Sequence, residues 1–291
     1  MSIGLRALHG KSGRRIILKF ALAGGTSPLA KDLADSLFAS GHEVEIFSRS
    51  ASGTTIHSYQ DLERVSFDVL VNLLGGHSSD MTDRDVSSIL AISEDLVNCA
   101  IDRQIALIHV SSGSVLGPLD QPALPEHPRV SHHFATRYQE VKVRIEQLHD
   151  AKRDIVPISD LRLFSFAGPH FLRESDYFLA KLIRAAKEKI TLRVAGNGFL
   201  RDFTGPQELA SAIEIAAMVE YSGTANLFSG QPASRSDILD LFRQQFGLKF
   251  DSEEALPGID VYCASNVVGL PGFNPQGSID VISRESAIAF G

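Results

Sequence analysis

Cysteine is almost missing from this chain: Cys99 and Cys263 are the only two in 291 residues. So few thiols, one of them inside an apolar helical pattern, argue against a disulfide framework or a cysteine metal site and fit a reducing compartment. No stretch approaches the roughly 20 apolar residues that cross a bilayer. A cationic excess is lacking too. The formal charge is -7, from 28 Lys and Arg against 35 Asp and Glu, which disfavours a nucleic-acid groove as the main business. Apart from Lys11, Arg14 and Arg15, the basic residues are scattered. There is no low-complexity tract and no repeat of solenoid period. Nor does the start read as an export signal. Lys19 interrupts the apolar run after Arg15, and Ala21-Leu22-Ala23-Gly24-Gly25 looks like a strand entering a glycine turn. These absences leave a cytoplasmic globular protein whose 44% hydrophobic content supports one large or two modest cores.

From Arg15 onward strand-like and helical patterns alternate. Residues 16–23, 43–48, 69–74, 105–110 and 158–164 read as buried strands, and 29–40, 85–102 and 138–148 as helices. The alternation predicts an α/β fold, a Rossmann-like doubly wound parallel sheet. Past Gly168-Pro169 the pattern loosens into helices at 177–189, 206–219 and 236–246 and short strands at 192–194 and 226–228. They are expected to form a smaller C-terminal substrate lobe over the carboxyl ends of the sheet, where open α/β sheets bind ligands. The domain expectation is an N-terminal extension over 1–14 and a dinucleotide-binding domain over 15–164. The remainder, 165–291, is mainly a substrate-binding lobe, with segments returning to the Rossmann domain.

Two segments carry the chemistry. Ser111-Ser112-Gly113-Ser114 ends a buried strand, and Tyr138 precedes Lys142 by four residues. On a helix that spacing places both side chains on one face. A Lys ammonium there is expected to lower the Tyr138 pKa from its ordinary value of about 10. Tyr138 can then exchange a proton with a substrate oxygen while a hydride moves at the adjacent carbon, and Ser112 hydrogen-bonds the same oxygen. The histidines point elsewhere. His132 and His133 are adjacent and are expected to point apart, no second pair has a ligand spacing, and His109 reads as a core residue, so no metal site is expected.

A cofactor site is legible upstream. Gly24, Thr26, Ser27, Pro28 and Leu29 lie between the first strand and the first helix, where a glycine turn and a helix N-terminus receive a pyrophosphate. Ser27 and Ala30 stand at later glycine positions of that fingerprint, which loosens the turn. The second strand ends at Ser48-Arg49-Ser50 without an acid. An Arg between two hydroxyls suits a 2'-phosphate, so NADP is favoured and NAD is left open.

With these motifs in place, the chain resembles an extended short-chain dehydrogenase/reductase of the nucleotide-sugar epimerase/dehydratase/reductase group, from Arg15 to its end. The resemblance implies a catalytic set of Ser112, Tyr138 and Lys142, with Lys142 also reaching the nicotinamide ribose. It implies adenine contacts at Asp61-Leu62 and a cofactor-bordering loop at Leu74-Gly75. The family's Leu-Arg-x-Phe-Asn-x-x-Gly appears as Leu161 to Gly168 with Ser165 for Asn, and Gly-x-x-Arg-Asp-Phe as Gly198 to Phe203. Ser114, Ser165 and Arg201 are thus implied substrate contacts, Arg201 for a sugar-nucleotide diphosphate. Leu116 stands where the family has Tyr. Gly113-Ser114 stands where the dehydratases carry Asp-Glu, which disfavours elimination of water. The implied function is an NADP(H)-dependent ketoreductase acting on a nucleotide sugar. An NAD(P)-dependent epimerase, or a non-catalytic NADP sensor on the same fold, remain as alternatives. The partners implied are a small molecule, with no nucleic acid and no membrane, and a homodimer is left open.

Overall fold

A computed structural model describes residues 16–49, 56–75, 81–124, 127–194, 198–252, 259–265 and 269–291. The expected extension at 1–14 and Ser50 lie outside them. The first half runs β1 (Lys19–Ala23), α1 (Pro28–Ala39), β2 (Glu43–Ser48), β3 (Ile56–Ser58), β4 (Val69–Asn72), α2 (Asp83–Arg103), β5 (Ala106–Ser112), α3 (Arg137–Asp150) and β6 (Ile158–Leu163). The second half runs α4 (Pro169–Glu174), α5 (Phe178–Glu188), β7 (Leu192–Val194), β8 (Gly198–Arg201), α6 (Pro206–Met218) and β9 (Gly223–Leu227). It ends with β10 (Ala233–Ser234), α7 (Arg235–Phe246), β11 (Phe250–Ser252), β12 (Ile259–Tyr262) and α8 (Ser278–Phe290).

Seven strands form one parallel sheet in the order β3-β2-β1-β4-β5-β6-β9. Because successive side chains alternate faces, Phe20 and Leu22 pack on Leu33, Leu37, Leu209 and Ile213 of α1 and α6. Ala21 and Ala23 pack with Leu96, Val97 and Ala100 of α2 on the other face. The chain leaves β1 in one direction toward β2 and β3, then returns to β4 on the other side. That reversal opens a crevice at the carboxyl ends of β1 and β4.

The sheet-facing side of α3 is polar. Lys142, Glu146 and His149 recur at helical spacing and are all buried. They are matched by polar residues inside otherwise apolar strands. Ser111 Oγ donates to Glu146 Oε1 at 2.6 Å, Arg162 donates to both Glu146 oxygens, and His149 Nδ1 lies 2.8 Å from Asp160 Oδ1. Burying such charges is tolerable because the carboxylates of Glu146 and Asp160 are hydrogen-bonded, while His149 Nε2 stays buried without a partner.

A second core joins Leu179, Leu182 and Ile183 of α5 to Ile238, Leu239 and Phe242 of α7 and to Val281 and Ile282 of α8. Here β8 lies between β10 and β12 in a three-stranded sheet, and β11 pairs with β7. The strand expected at 226–228 begins earlier, at Gly223, and joins the main sheet beside β6. Strands β3 and β8 and the six-residue helix α4 are too short to show a period in the sequence, and strand β12 and helix α8 are not singled out there. His132 and His133 do not point apart: their rings lie 4.7 Å apart at 70°. His133 has φ 58°, so strand alternation does not govern the pair.

Candidate active site

A cavity of about 960 Å³ occupies the crevice. Of the residues singled out in the sequence, it gathers Gly24, Thr26, Ser27, Pro28, Leu29, Ser48, Arg49, Leu74, Gly75, Ser112, Tyr138, Lys142, Ser165 and Arg201. It does not gather Asp61, Leu62 or Ser114. Asp61 caps its own short helical turn, accepting the Ser58 N–H at 3.2 Å and pairing with Arg64. Leu62 is buried in the core beneath α2. The Ser114 hydroxyl is buried without a hydrogen-bond partner, while its N–H donates to Ser112 Oγ at 3.2 Å.

Strand β5 delivers Ser112, and α3, opened by the Thr136 cap, delivers Tyr138 and Lys142 one turn apart. The ammonium of Lys142 donates to the carbonyl oxygens of Leu74 at 2.7 Å and Val110 at 2.6 Å. It lies 5.9 Å from the centre of the Tyr138 ring. Burial pulls Lys142 down to about 7, opposed by the carboxylates of Asp160 and Glu146. The expectation that Lys142 lowers the Tyr138 pKa is corrected here. Burial pushes the phenol well up, Tyr262 adds to this, and a hydrogen bond with Ser112 pulls the other way. The Lys142 ammonium is held by two carbonyl oxygens of the chain, not by the phenol. Gly75 permits the arrangement, because a Cβ there would lie 2.6 Å from Lys142 Cε and 3.3 Å from Tyr138 Cε2.

At the opposite end, Gly24 adopts φ +84°, conformational space that glycine enters without strain. Its N–H is held by Phe47 O at 3.0 Å and by the Tyr59 hydroxyl at 3.0 Å. Helix α1 then starts at the cavity wall, its positive end available to an anion. Ser27 Oγ accepts the Ala30 N–H at 3.2 Å, and Pro28 has no N–H, so donors are fewer than in an all-glycine turn. Arg49 stands exposed at the end of β2. Burial raises the Tyr59 pKa against a smaller opposing pull from Arg49, and the Thr82 hydrogen bonds lower that of Asp85 with a smaller contribution from Arg49. A nicotinamide dinucleotide fits this donor set. Tyr138 and Lys142 lie at one end of the cavity, the α1 N-terminus in the middle and Arg49 at the far end.

The substrate side is aromatic. Phe171 stacks on Tyr177 at 5.3 Å, and Phe178 meets Phe199 edge-on at 5.4 Å. Arg201 lies over the rings of Phe199 at 4.9 Å and Tyr262 at 5.8 Å, and pairs with Asp260 at 2.7 Å. Its Nε is buried without a partner. Asp202 does not pair with Arg201. It is buried and accepts hydrogen bonds from Ser229 and the Ala264 N–H, fastening the end of β8 to its surroundings. Tyr262 and Tyr59 line the cavity without having been singled out from sequence. The one available signal for Tyr262 was its place in a short apolar run.

A family model described as the NAD dependent epimerase/dehydratase family matches residues 21–226. Among curated proteins no sequence matches. The UDP-N-acetylglucosamine 4-epimerase of Bacillus cereus is similar in fold, with a TM-score of 0.79 at 19% identity over 94% of this chain and 100% of that one. A UDP-glucose-4-epimerase from Stenotrophomonas maltophila, with bound NAD and formylated UDP-arabinopyranose, gives 0.77 at 18% over 94% and 98%. The UDP-glucose 4-epimerase from Brucella ovis in complex with NAD gives 0.76 at 16% over 94% and 98%. The chain belongs to the NAD dependent epimerase/dehydratase family and is an NAD(P)-dependent enzyme of the short-chain dehydrogenase/reductase type.

Proposed function

We propose that this family member is an NADP(H)-dependent oxidoreductase acting on a sugar carbon of a nucleotide-diphosphate sugar. The observation that carries this reading is a single cavity holding Ser112, Tyr138 and Lys142 at one end and Arg49 at the other, with Arg201 on its aromatic side. When bound, the nicotinamide supplies or takes up a hydride. The chain's own residues do the rest. Tyr138 Oη gives its proton to the carbonyl oxygen in reduction and takes it from the alcohol in oxidation. Ser112 Oγ hydrogen-bonds that same oxygen and keeps the carbon aligned. Lys142, its Nζ held by the carbonyl oxygens of Leu74 and Val110, borders the Tyr138 ring one helical turn away. Arg49 supports the choice of NADP, since no carboxylate ends β2 and a guanidinium pairs with a 2'-phosphate.

Arg201 supports the nucleotide sugar. Stacked on Phe199 and Tyr262 and held by Asp260, its fork is fixed before any ligand arrives, which lowers the entropy cost of gripping a diphosphate. Steady-state kinetics test it. Arg201→Ala should raise KM for a UDP-sugar and leave a small ketone unaffected; unchanged UDP-sugar kinetics would point to another substrate class.

A second reading, an NAD-dependent epimerase, is favoured by the names of the structurally similar proteins, two of which hold NAD. The same Ser112 and Tyr138 serve removal and return of the hydride. Absorbance at 340 nm separates the readings. A reductase consumes NADPH in step with product, whereas an epimerase interconverts sugars without net consumption. A non-catalytic sensor binds and does neither.

A further inference from the structure

The hydroxyl of Tyr262, on a strand of the substrate side, lies 3.1 Å from Ser112 Oγ. Ser112, Tyr138 and Tyr262 line the same cavity, and the hydroxyls of Ser112 and Tyr262 are directly joined. We propose that Tyr262 is a positioning residue, which fixes the direction of the Ser112 hydroxyl so that its proton is aimed at the substrate oxygen. The role ascribed to Ser112 rests on the function proposed above; its bond with Tyr262 does not.

The argument is one of counting. A serine hydroxyl has one proton to give and two lone pairs to accept with. The Ser114 N–H takes one lone pair of Ser112 Oγ, at 3.2 Å. One lone pair and one proton remain. If Tyr262 donates to Ser112, both lone pairs are filled and the Ser112 proton is left for a substrate oxygen. If the bond ran the other way, Ser112 would spend its proton on Tyr262. A carbonyl oxygen can only accept, so it selects the first direction. Without the Tyr262 hydroxyl that lone pair is unfilled and the Ser112 proton is free to turn.

Tyr262 is well held for this task. Its carbonyl accepts the Asp202 N–H at 3.3 Å, and the next carbonyl, of Cys263, accepts the Ala123 N–H at 2.9 Å. Tyr262 is in register with Arg201 across β8 and β12, and its ring packs edge-on against Phe164 at 5.2 Å. The phenol is thus fixed from both sides of its strand.

Two double-mutant cycles over Tyr262→Phe and Ser112→Ala test the proposal. The first measures urea unfolding of the protein without ligands. The two changes should be non-additive, and additive changes would mean that the bond does not exist. The second measures kcat and KM on whichever carbonyl the parent turns over. Tyr262→Phe should lower kcat roughly five- to tenfold, the effect of about one neutral hydrogen bond, with KM nearly unchanged. In the Ser112→Ala background it should have no further effect. A persisting, additive loss of kcat, or a rise in KM alone, overturns the role, because Tyr262 would then act on substrate or on packing. A parent that turns over no carbonyl refutes the function proposed above and the kinetic role of Tyr262 with it. The unfolding cycle still decides the bond.

Discussion

Arg162 meets Glu146 inside the protein with two hydrogen bonds, Nε to Oε1 at 3.0 Å and Nη2 to Oε2 at 2.8 Å. Ser111, the neighbour of Ser112, donates to the same carboxylate. The pair therefore anchors α3, which carries Tyr138 and Lys142, to β5 and β6, which frame the reacting end of the cavity. Arg162→Met leaves the buried Glu146 carboxylate with only the longer ion pair to Arg129 at 3.3 Å. In urea unfolding it should cost about 3 kcal/mol, the low end for breaking a buried pair. Adding Glu146→Gln should return part of that loss, because the poorly paired charge is gone. A second change that deepened the loss would show that the carboxylate is held by its other partners.

Tyr138→Phe keeps the ring and removes the proton. Turnover should fall by about 10²- to 10⁴-fold, the usual contribution of a positioned acid or base, while cofactor affinity by titration changes little. Activity within tenfold of the parent would remove Tyr138 from the proton-transfer role.

The α3 helix shows why part of the site was legible and part was not. Tyr138 and Lys142 are joined by local spacing, which a linear sequence displays. The glycine turn and Arg201 are equally local. Tyr262 meets Ser112 across 150 positions, and no local pattern records such a contact. The buried face of α3 carries Lys142, Glu146 and His149, so a reading by apolar period takes it for a solvated face. Its true partners, Asp160 and Arg162, hide in a strand recognised by its apolar neighbours. Asp61 illustrates the reverse, since a position singled out by resemblance has its carboxylate engaged in a capping box within four residues, outside the cavity lining.

Arg49→Ala should weaken NADPH far more than NADH. Losing a charged hydrogen bond of about 1.5–3 kcal/mol corresponds to roughly 10- to 150-fold in Kd. Fluorescence titration of both cofactors reads it out directly. Equal losses would mean that the end of β2 does not discriminate between them.

Lys142 predicts a pH dependence of stability. Its folded value of about 7 lies below the unfolded value of about 10.4. Between these limits the unfolded chain holds a proton that the folded chain lacks, so this group makes stability rise with pH across the window. Lys142→Met removes that contribution. Its stability relative to the parent should be highest near about pH 6.5 and decline toward about pH 9.5 in matched urea titrations. A difference that stays constant would show that Lys142 is not depressed.

Strands β6 and β9 lie side by side, Ser159 opposite Gly223 and Leu163 opposite Leu227, yet residues 164–222 leave the sheet between them. Those residues include α5, β7 and β8, which bring Phe178, Phe199 and Arg201 to the cavity. During synthesis β6 is complete long before its edge partner exists, and its open donors and acceptors must wait for the whole excursion. Closing so long a loop adds little to the entropy cost but makes the contact late. The Arg201 side of the cavity is thus a closed loop of the sheet itself, and no single cut between residues 164 and 222 yields a complete sheet on one piece.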